Sequence, residues 1–398
     1  MIPSLPLDAA MPIPVVRDAD RGGSGRGGAE ARVLPVLDAQ ADIRYHLAAA
    51  RSVLNAPAAT HMAFWSLNPY IGCAFGCAYC YARDTHRWAA ERAAERAADA
   101  VLAAAPPDGG DGDDRGDERA RAPHAGTPFG DAAPLPPWLA FERRVLVKRD
   151  AAALLRSALR PGRTAWRALV ERGEPLAIGT ATDPYQPAER RFRVTRAVLG
   201  VLAGLEGLRV GLITKSALVT RDADLLATIA RRSRLAVHVS LITTDRDLAR
   251  RIEPRAPTPA ARLAAVRRLR EAGVDVGVNC MPVLPGITDR PAALRALVAA
   301  VADAGATHLN ACALRLRPAA RRRYLPWLAE AFPELAARYR VAYAAGHQPG
   351  ERYREGLRRT MRRLCAERGL PYGMPTDAIA SMAEGRGPTG SPQLPLPL

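Results

Sequence analysis

Lysine is almost missing from this chain. Lys148 and Lys215 are the two it has, although lysine and arginine together number 57 in 398 residues. A lysine-rich arm is therefore excluded. The net charge of +17 is carried by arginine along the whole length, not gathered in one tract. Aromatic residues make up 5%, too few to interleave with the arginines as a stacking platform for single strands. Arginine still permits phosphate contacts, so nucleic acid stays open as a partner without a motif to support it. No apolar run is long enough to cross a bilayer, and no membrane association is expected. The first residues lack the basic stretch and apolar stretch of a secretory signal. Cysteine is scarce as well, at positions 73, 77, 80, 280, 312 and 365. Three of the six fall within eight residues, poor spacing for a disulfide framework and good spacing for a metal site. A cytoplasmic, reducing setting follows as the expectation.

What is present suffices for a large core, since 48% of the residues are hydrophobic. Residues 1–42 are rich in proline, glycine and arginine and are expected to be a disordered extension. A short helix is expected near 43–54. Residues 88–137 read as a low-complexity insertion, first alanine, glutamate and arginine at helical spacing, then aspartate, glycine and proline. Elsewhere the pattern alternates. Strands are predicted at 63–68, 145–148, 175–179, 208–214, 235–241 and 274–282, with a further one at 307–314. Helices follow at 151–159, 189–205, 223–232, 259–272 and 291–304. Repeated strand–helix units imply an α/β fold with a parallel sheet and helices outside. Six units fit an incomplete (βα)6 TIM-like barrel over 43–315, with the insertion inside it. Residues 316–398 read as a helical C-terminal extension and a disordered tail. In such barrels chemistry gathers where the strands end, and the predicted strands run into Cys73 to Cys80, Lys148, Thr180 to Asp183, Lys215, Thr243 to Asp245, and Asn279.

The informative stretch is Asn68-Pro69-Tyr70-Ile71-Gly72-Cys73-Ala74-Phe75-Gly76-Cys77-Ala78-Tyr79-Cys80-Tyr81. Thiolates are soft ligands suited to iron–sulfur clusters or zinc. Three of them at this spacing can wrap one cluster in a single loop. A four-iron cluster then keeps one iron without a protein ligand, the open position that catalysis needs. Gly72 and Gly76 let the loop turn tightly. The competing reading is a structural zinc or iron–sulfur site completed by His61, His86 or Cys280, in a non-enzymatic scaffold whose arms bind a partner.

This spacing, with Tyr79 just before the last cysteine, resembles the signature of radical S-adenosylmethionine (SAM) enzymes. The resemblance implies a [4Fe–4S] cluster on Cys73, Cys77 and Cys80. It implies SAM on the open iron, cleavage to a 5′-deoxyadenosyl radical, an unknown substrate and a cellular electron donor. Further motifs occur in order: Val145-Leu146-Val147-Lys148, Ile178 through Glu189, Leu212-Ile213-Thr214-Lys215-Ser216, Arg221-Asp222, Val239-Ser240 and Pro282-Val283-Leu284-Pro285-Gly286. Together they look like the spore photoproduct lyase-like branch, over about residues 60–340. By that resemblance Thr182 and Lys215 bind the cofactor, and Tyr79 lies against its adenine side. A hydroxyl and an ammonium at adjacent strand ends suit its carboxylate and ribose. Asp183 is expected to orient the cofactor or substrate, Glu189 to cap a helix, and Ser240 and Asn279 to face the lumen or to be satisfied within their strands.

One departure matters. Spore photoproduct lyases carry a hydrogen-donating cysteine where this chain has Thr180, and a threonine O–H bond is too strong for that role. Photoproduct repair of DNA, or another nucleic-acid modification, is therefore the alternative reading. Cys280 and Cys312 lie near predicted strand ends, and Cys365 on a tail helix reads as packing.

Overall fold

The computed structural model describes residues 36–40, 42–48, 50–84 and 135–373. Most of the expected N-terminal extension, most of the 88–137 insertion, His86 and the end of the tail lie outside them.

Two sheets organise the chain. The larger has seven strands in the order β11-β10-β9-β8-β7-β4-β3. These are β3 (Leu54–Asn55), β4 (Trp65–Leu67), β7 (Pro175–Ile178), β8 (Arg209–Thr214), β9 (Arg234–Ser240), β10 (Asp275–Val283) and β11 (Leu309–Ala313). All neighbours pair in parallel except β3, which runs antiparallel to β4 at the edge. Among the described residues its edge strands do not pair with each other. The helices Val194–Leu202, Ala223–Arg232, Pro259–Glu271 and Pro291–Asp303 connect successive strands. Alternation explains the layering. Leu176, Ile178, Val210, Leu212, Val237, Val239, Val276 and Val278 enter one core with Val198, Ile229, Val266 and Val298 from those helices. Each such buried branched side chain contributes about 1.5–3 kcal/mol. Residues of the other parity, among them His238, Ser240, Gly277, Asn279 and Asn310, turn to the opposite face. Since the strands are parallel, their carboxyl ends share one edge.

The second sheet, in the order β1-β2-β6-β5, comprises β1 (Val36–Gln40), β2 (Ile43–Leu47), β5 (Tyr70–Ile71) and β6 (Arg144–Val147). It corrects three expectations. Within 43–54 the structure has the strand Ile43–Leu47 and the start of Leu54–Asn55, not a helix, because Ile43, Tyr45 and Leu47 alternate with polar neighbours and β-branched and aromatic residues suit a half-buried strand. A strand, Val36–Gln40, lies within the extension expected to be disordered, paired antiparallel to β2. Residues 145–148 form no unit of the parallel series. There β6 runs parallel to β2 and antiparallel to β5 in the second sheet, so Lys148 follows a strand of a different sheet, and β11 supplies the sixth parallel strand instead.

The C-terminal helices Pro318–Ala331 and Pro333–Ala342 do not stand apart. Tyr324, Leu328, Tyr339 and Tyr343 share a second core with Phe75, Cys77, Tyr79 and Phe141.

Candidate functional site

The cysteine loop leaves β5 at Gly72 and is pinned from several directions. The Cys73 amide donates to Phe141 O at 2.9 Å and the Ala78 amide to Ile252 O at 3.0 Å. Gln186 accepts from the Ala74 amide at 2.9 Å and donates to Gly72 O at 3.0 Å. Thr182 Oγ1 donates to the same carbonyl at 2.5 Å. Arg83, fully buried, donates to Cys77 O at 2.8 Å and to Glu142 at 2.7 Å. Arg255 Nε donates to Ala74 O. Buried bonds of this kind contribute about 1 kcal/mol each and more when charged. Gly76 is required here: its φ is +67°, and a Cβ would sit 2.2 Å from Arg255 Nη2.

Cys73 and Cys77 are buried and Cys80 is half-buried. Burial pushes the Cys73 thiol up to about 12, with Asp183 and Cys80 adding to it. Burial also raises Cys77, against the pull of Lys215. Each of these thiols feels Cys80, so the three are neighbours. The donor set on this loop is three thiols. Among the described residues no three His, Cys, Asp or Glu side chains converge on a single metal ion. Of the candidate fourth ligands, His61 is exposed, and Cys280 lies in the helix-facing core of β10.

Facing the loop are the residues that end β7, β8 and β9. Lys215 Nζ lies 5.8 Å from the centre of the Tyr79 ring. Burial works against its charge, but Cys77, Glu253, Asp183 and Cys80 hold it above the ordinary lysine range. Asp183 accepts from the Lys215 amide and from Thr214 Oγ1, each at 2.7 Å, and from the Tyr185 amide at 2.9 Å. Burial raises its carboxyl and Lys215 opposes. Tyr79 donates to Glu253, which also accepts from Arg262 at 2.5 Å. Arg262 in turn reaches Ser240 O at 3.1 Å. Burial pushes Glu253 up, but Arg262, Lys215 and Tyr79 bring it below the usual range.

The structure thus brings Tyr79, Asp183, Lys215 and the three cysteines together, with Thr182 holding the loop's first turn. Thr180 accepts from Asn68 at 3.3 Å, and its carbonyl accepts from Tyr81. Asn279 accepts from Asn310 at 3.1 Å. Glu189 caps, as expected, but the helix it caps is the next one: it accepts from the Thr195 and Arg196 amides at 2.8 and 3.2 Å. Lys148 follows β6, its amide donating to Pro69 O at 3.2 Å, and burial pushes its ammonium down to about 8. Cys365 is core packing, as expected. Sequence reasoning missed Glu253, Arg262, Arg83 and Glu142. Buried arginines carry no signal in a chain where arginine is everywhere.

A family model of the radical SAM superfamily matches residues 162–297, the span that holds Thr182, Asp183 and Lys215. An uncharacterized protein of Mycobacterium tuberculosis is 35% identical over 327 residues, 82% of this chain and 81% of that one. The chain belongs to the radical SAM superfamily. Another relative of this radical SAM protein, an uncharacterized protein of Methanocaldococcus jannaschii, is 23% identical over 223 residues, 56% of this chain and 61% of its own. Spore photoproduct lyase complexed with dinucleoside spore photoproduct superposes with a TM-score of 0.50 at 14% identity, covering 82% of this chain and 80% of that one. That likeness speaks for a common α/β fold. Among the described residues no helix is long and apolar enough to cross a membrane.

Proposed function

We propose that this radical SAM protein holds a [4Fe–4S] cluster on Cys73, Cys77 and Cys80, binds SAM beside it, and generates a 5′-deoxyadenosyl radical for use on a substrate still to be found. When bound, the cluster and SAM supply the radical chemistry. One observation carries the reading: three neighbouring thiols on a pinned loop face a lysine held in its charged form. Because burial keeps Cys73 and Cys77 protonated, loading the site releases protons, and Lys215 offsets the negative charge of the thiolates that result.

The chain's own residues do the positioning. Six parallel strands form the incomplete barrel, and its open face is where substrate enters. Lys215 offers a compact cation for the cofactor's carboxylate. Asp183 fixes the backbone from which Lys215 projects, Thr182 and Gln186 hold the first turn of the loop, and the Tyr79 ring stands toward the adenine side. The six unpaired cysteines suit a reducing cytoplasm. Anaerobic reconstitution with iron and sulfide, followed by dithionite and SAM, is expected to yield 5′-deoxyadenosine. Product no higher than that of Cys77→Ala refutes the proposal.

A second reading, action on nucleic acid, is favoured by the charge beside β11. Arg315, Arg317 and Arg354 all bear on His347, which they and, first, burial push down. Tyr81 is 51% exposed. A photoproduct lyase reaction would need a hydrogen donor other than Thr180, and Cys312, half-buried near Tyr81, is the thiol in reach. Binding to DNA or RNA that weakens steeply with salt supports this reading; binding indifferent to salt removes it.

A further inference from the structure

We propose that the arginine-lined side of the cysteine loop is a docking surface for an acidic one-electron carrier protein, met by Arg143, Arg255 and Arg323. The inference rests on the reading of the loop as a cluster site, since such a site must be fed single electrons.

Two groups of charged side chains border the loop. Lys215, Asp183 and Glu253 interact in one. In the other, partly exposed, guanidiniums gather about Glu142. Arg83 pairs with it at 2.7 Å, and Arg255 and Arg323 stand 3.7 Å away. Arg143 is close as well: burial first, then the charges of Arg83, Arg255 and Arg143, push Arg323 below its ordinary value against the pull of Glu142. Among the described residues, Arg83 alone satisfies Glu142 at hydrogen-bond distance. At 3.7 Å the other two are too far to bond Glu142, so toward it they add charge, while Arg255 also pins the loop through Ala74 O. Arg143 has a second carboxylate, Asp42, at 3.0 Å. Among the described residues, four guanidiniums therefore face two carboxylates. Arg83 is fully buried, but the side chains of Arg143, Arg255 and Arg323 remain 38, 35 and 25% exposed. An excess of positive charge at a partly open surface attracts acidic partners and steers their approach.

Its place decides what kind of partner. Arg255 lies against Gly76, where a Cβ would come within 2.2 Å of Nη2, and Gly76 sits between Cys73 and Cys77. Arg255 Nε donates to Ala74 O and Arg83 to Cys77 O, so a protein seated on these arginines lies against the backbone that carries the thiols. In the transfer the carrier's reduced centre loses one electron and the loop-held cluster gains it, with no proton moved.

The test uses a reduced acidic [2Fe–2S] ferredoxin as probe and the double variant Arg143→Gln/Arg323→Gln. Titration calorimetry with oxidised ferredoxin on the cluster-free chain reads docking alone. The parent is expected to bind at low salt, and the double variant roughly tenfold more weakly, with a flatter salt dependence. In the loaded enzyme the KM for ferredoxin is expected to rise by a similar factor, while dithionite-driven cleavage of SAM and iron content stay at the parent's level. Equal ferredoxin binding and KM in parent and variant overturn the docking surface. No dithionite-driven cleavage in the parent overturns the underlying reading, and this inference with it.

Discussion

Around Tyr79 each charged side chain answers another. Glu253 lies between Arg262 and the Tyr79 hydroxyl, all three buried, and Lys215 sits over the Tyr79 ring. Removing one member of a buried pair leaves the other charge stranded, at a cost of about 3–5 kcal/mol. Glu253→Ala is therefore expected to lower unfolding stability by about that much in denaturant titration. A loss under ~1 kcal/mol contradicts the role given to the pair. The three cysteines were legible in the sequence by their crowding, and Lys215 by the rarity of its type. Glu253 and Arg262 were not, because their partnership with a tyrosine more than 170 positions away is made by the fold, and no local spacing announces it.

Among the elements, the cysteine loop is the one whose shape depends on a glycine. Gly76 combines a φ of +67° with direct contact from Arg255. Gly76→Ala is expected to destabilise the loop by about 1–3 kcal/mol, seen as less iron retained after reconstitution than in the parent. Full iron retention counts against a pinned loop. The five strands from residue 175 onward were readable to within two residues or so, since each is a short, mostly buried run followed by a helix. The strand Arg144–Val147 was readable as a strand but not as a member of the second sheet. Local pattern reports burial and not which neighbour supplies it. The 43–54 region failed for a related reason: short mixed stretches satisfy a helical period and a strand period equally well, and pairing with β6 decides.

For the whole molecule, the sheet interior holds a chain of polar groups that makes stability depend on pH. Thr307 donates to Asp275 and lies 3.0 Å from His308, whose Nε2 is 3.4 Å from His238 Nδ1. A Cβ on Gly277 would fall 2.1 Å from that same His308 Nε2, so the imidazole lies flat against the strand. Burial, then His308, pushes His238 down to about 3, and burial lowers His308 against the pull of Asp275. The folded state thus binds fewer protons than the unfolded one, whose histidines titrate near ~6.5. The stability these neutral imidazoles contribute is full above that value. It falls as pH drops toward about 3, by about 1.4 kcal/mol per unit for His238. Denaturant titrations between these limits should show that slope, and His238→Gln should flatten it; identical slopes in parent and variant contradict it. The joining of the C-terminal helices to the core around the cysteine loop was not readable, because helical periodicity shows an apolar face but not what covers it. The account as a whole turns on what that loop holds. The most direct measurement is the iron, acid-labile sulfide and zinc content of the anaerobically reconstituted chain. The prediction is about four irons with matching sulfide, lost in Cys77→Ala. One zinc per chain without sulfide would contradict it.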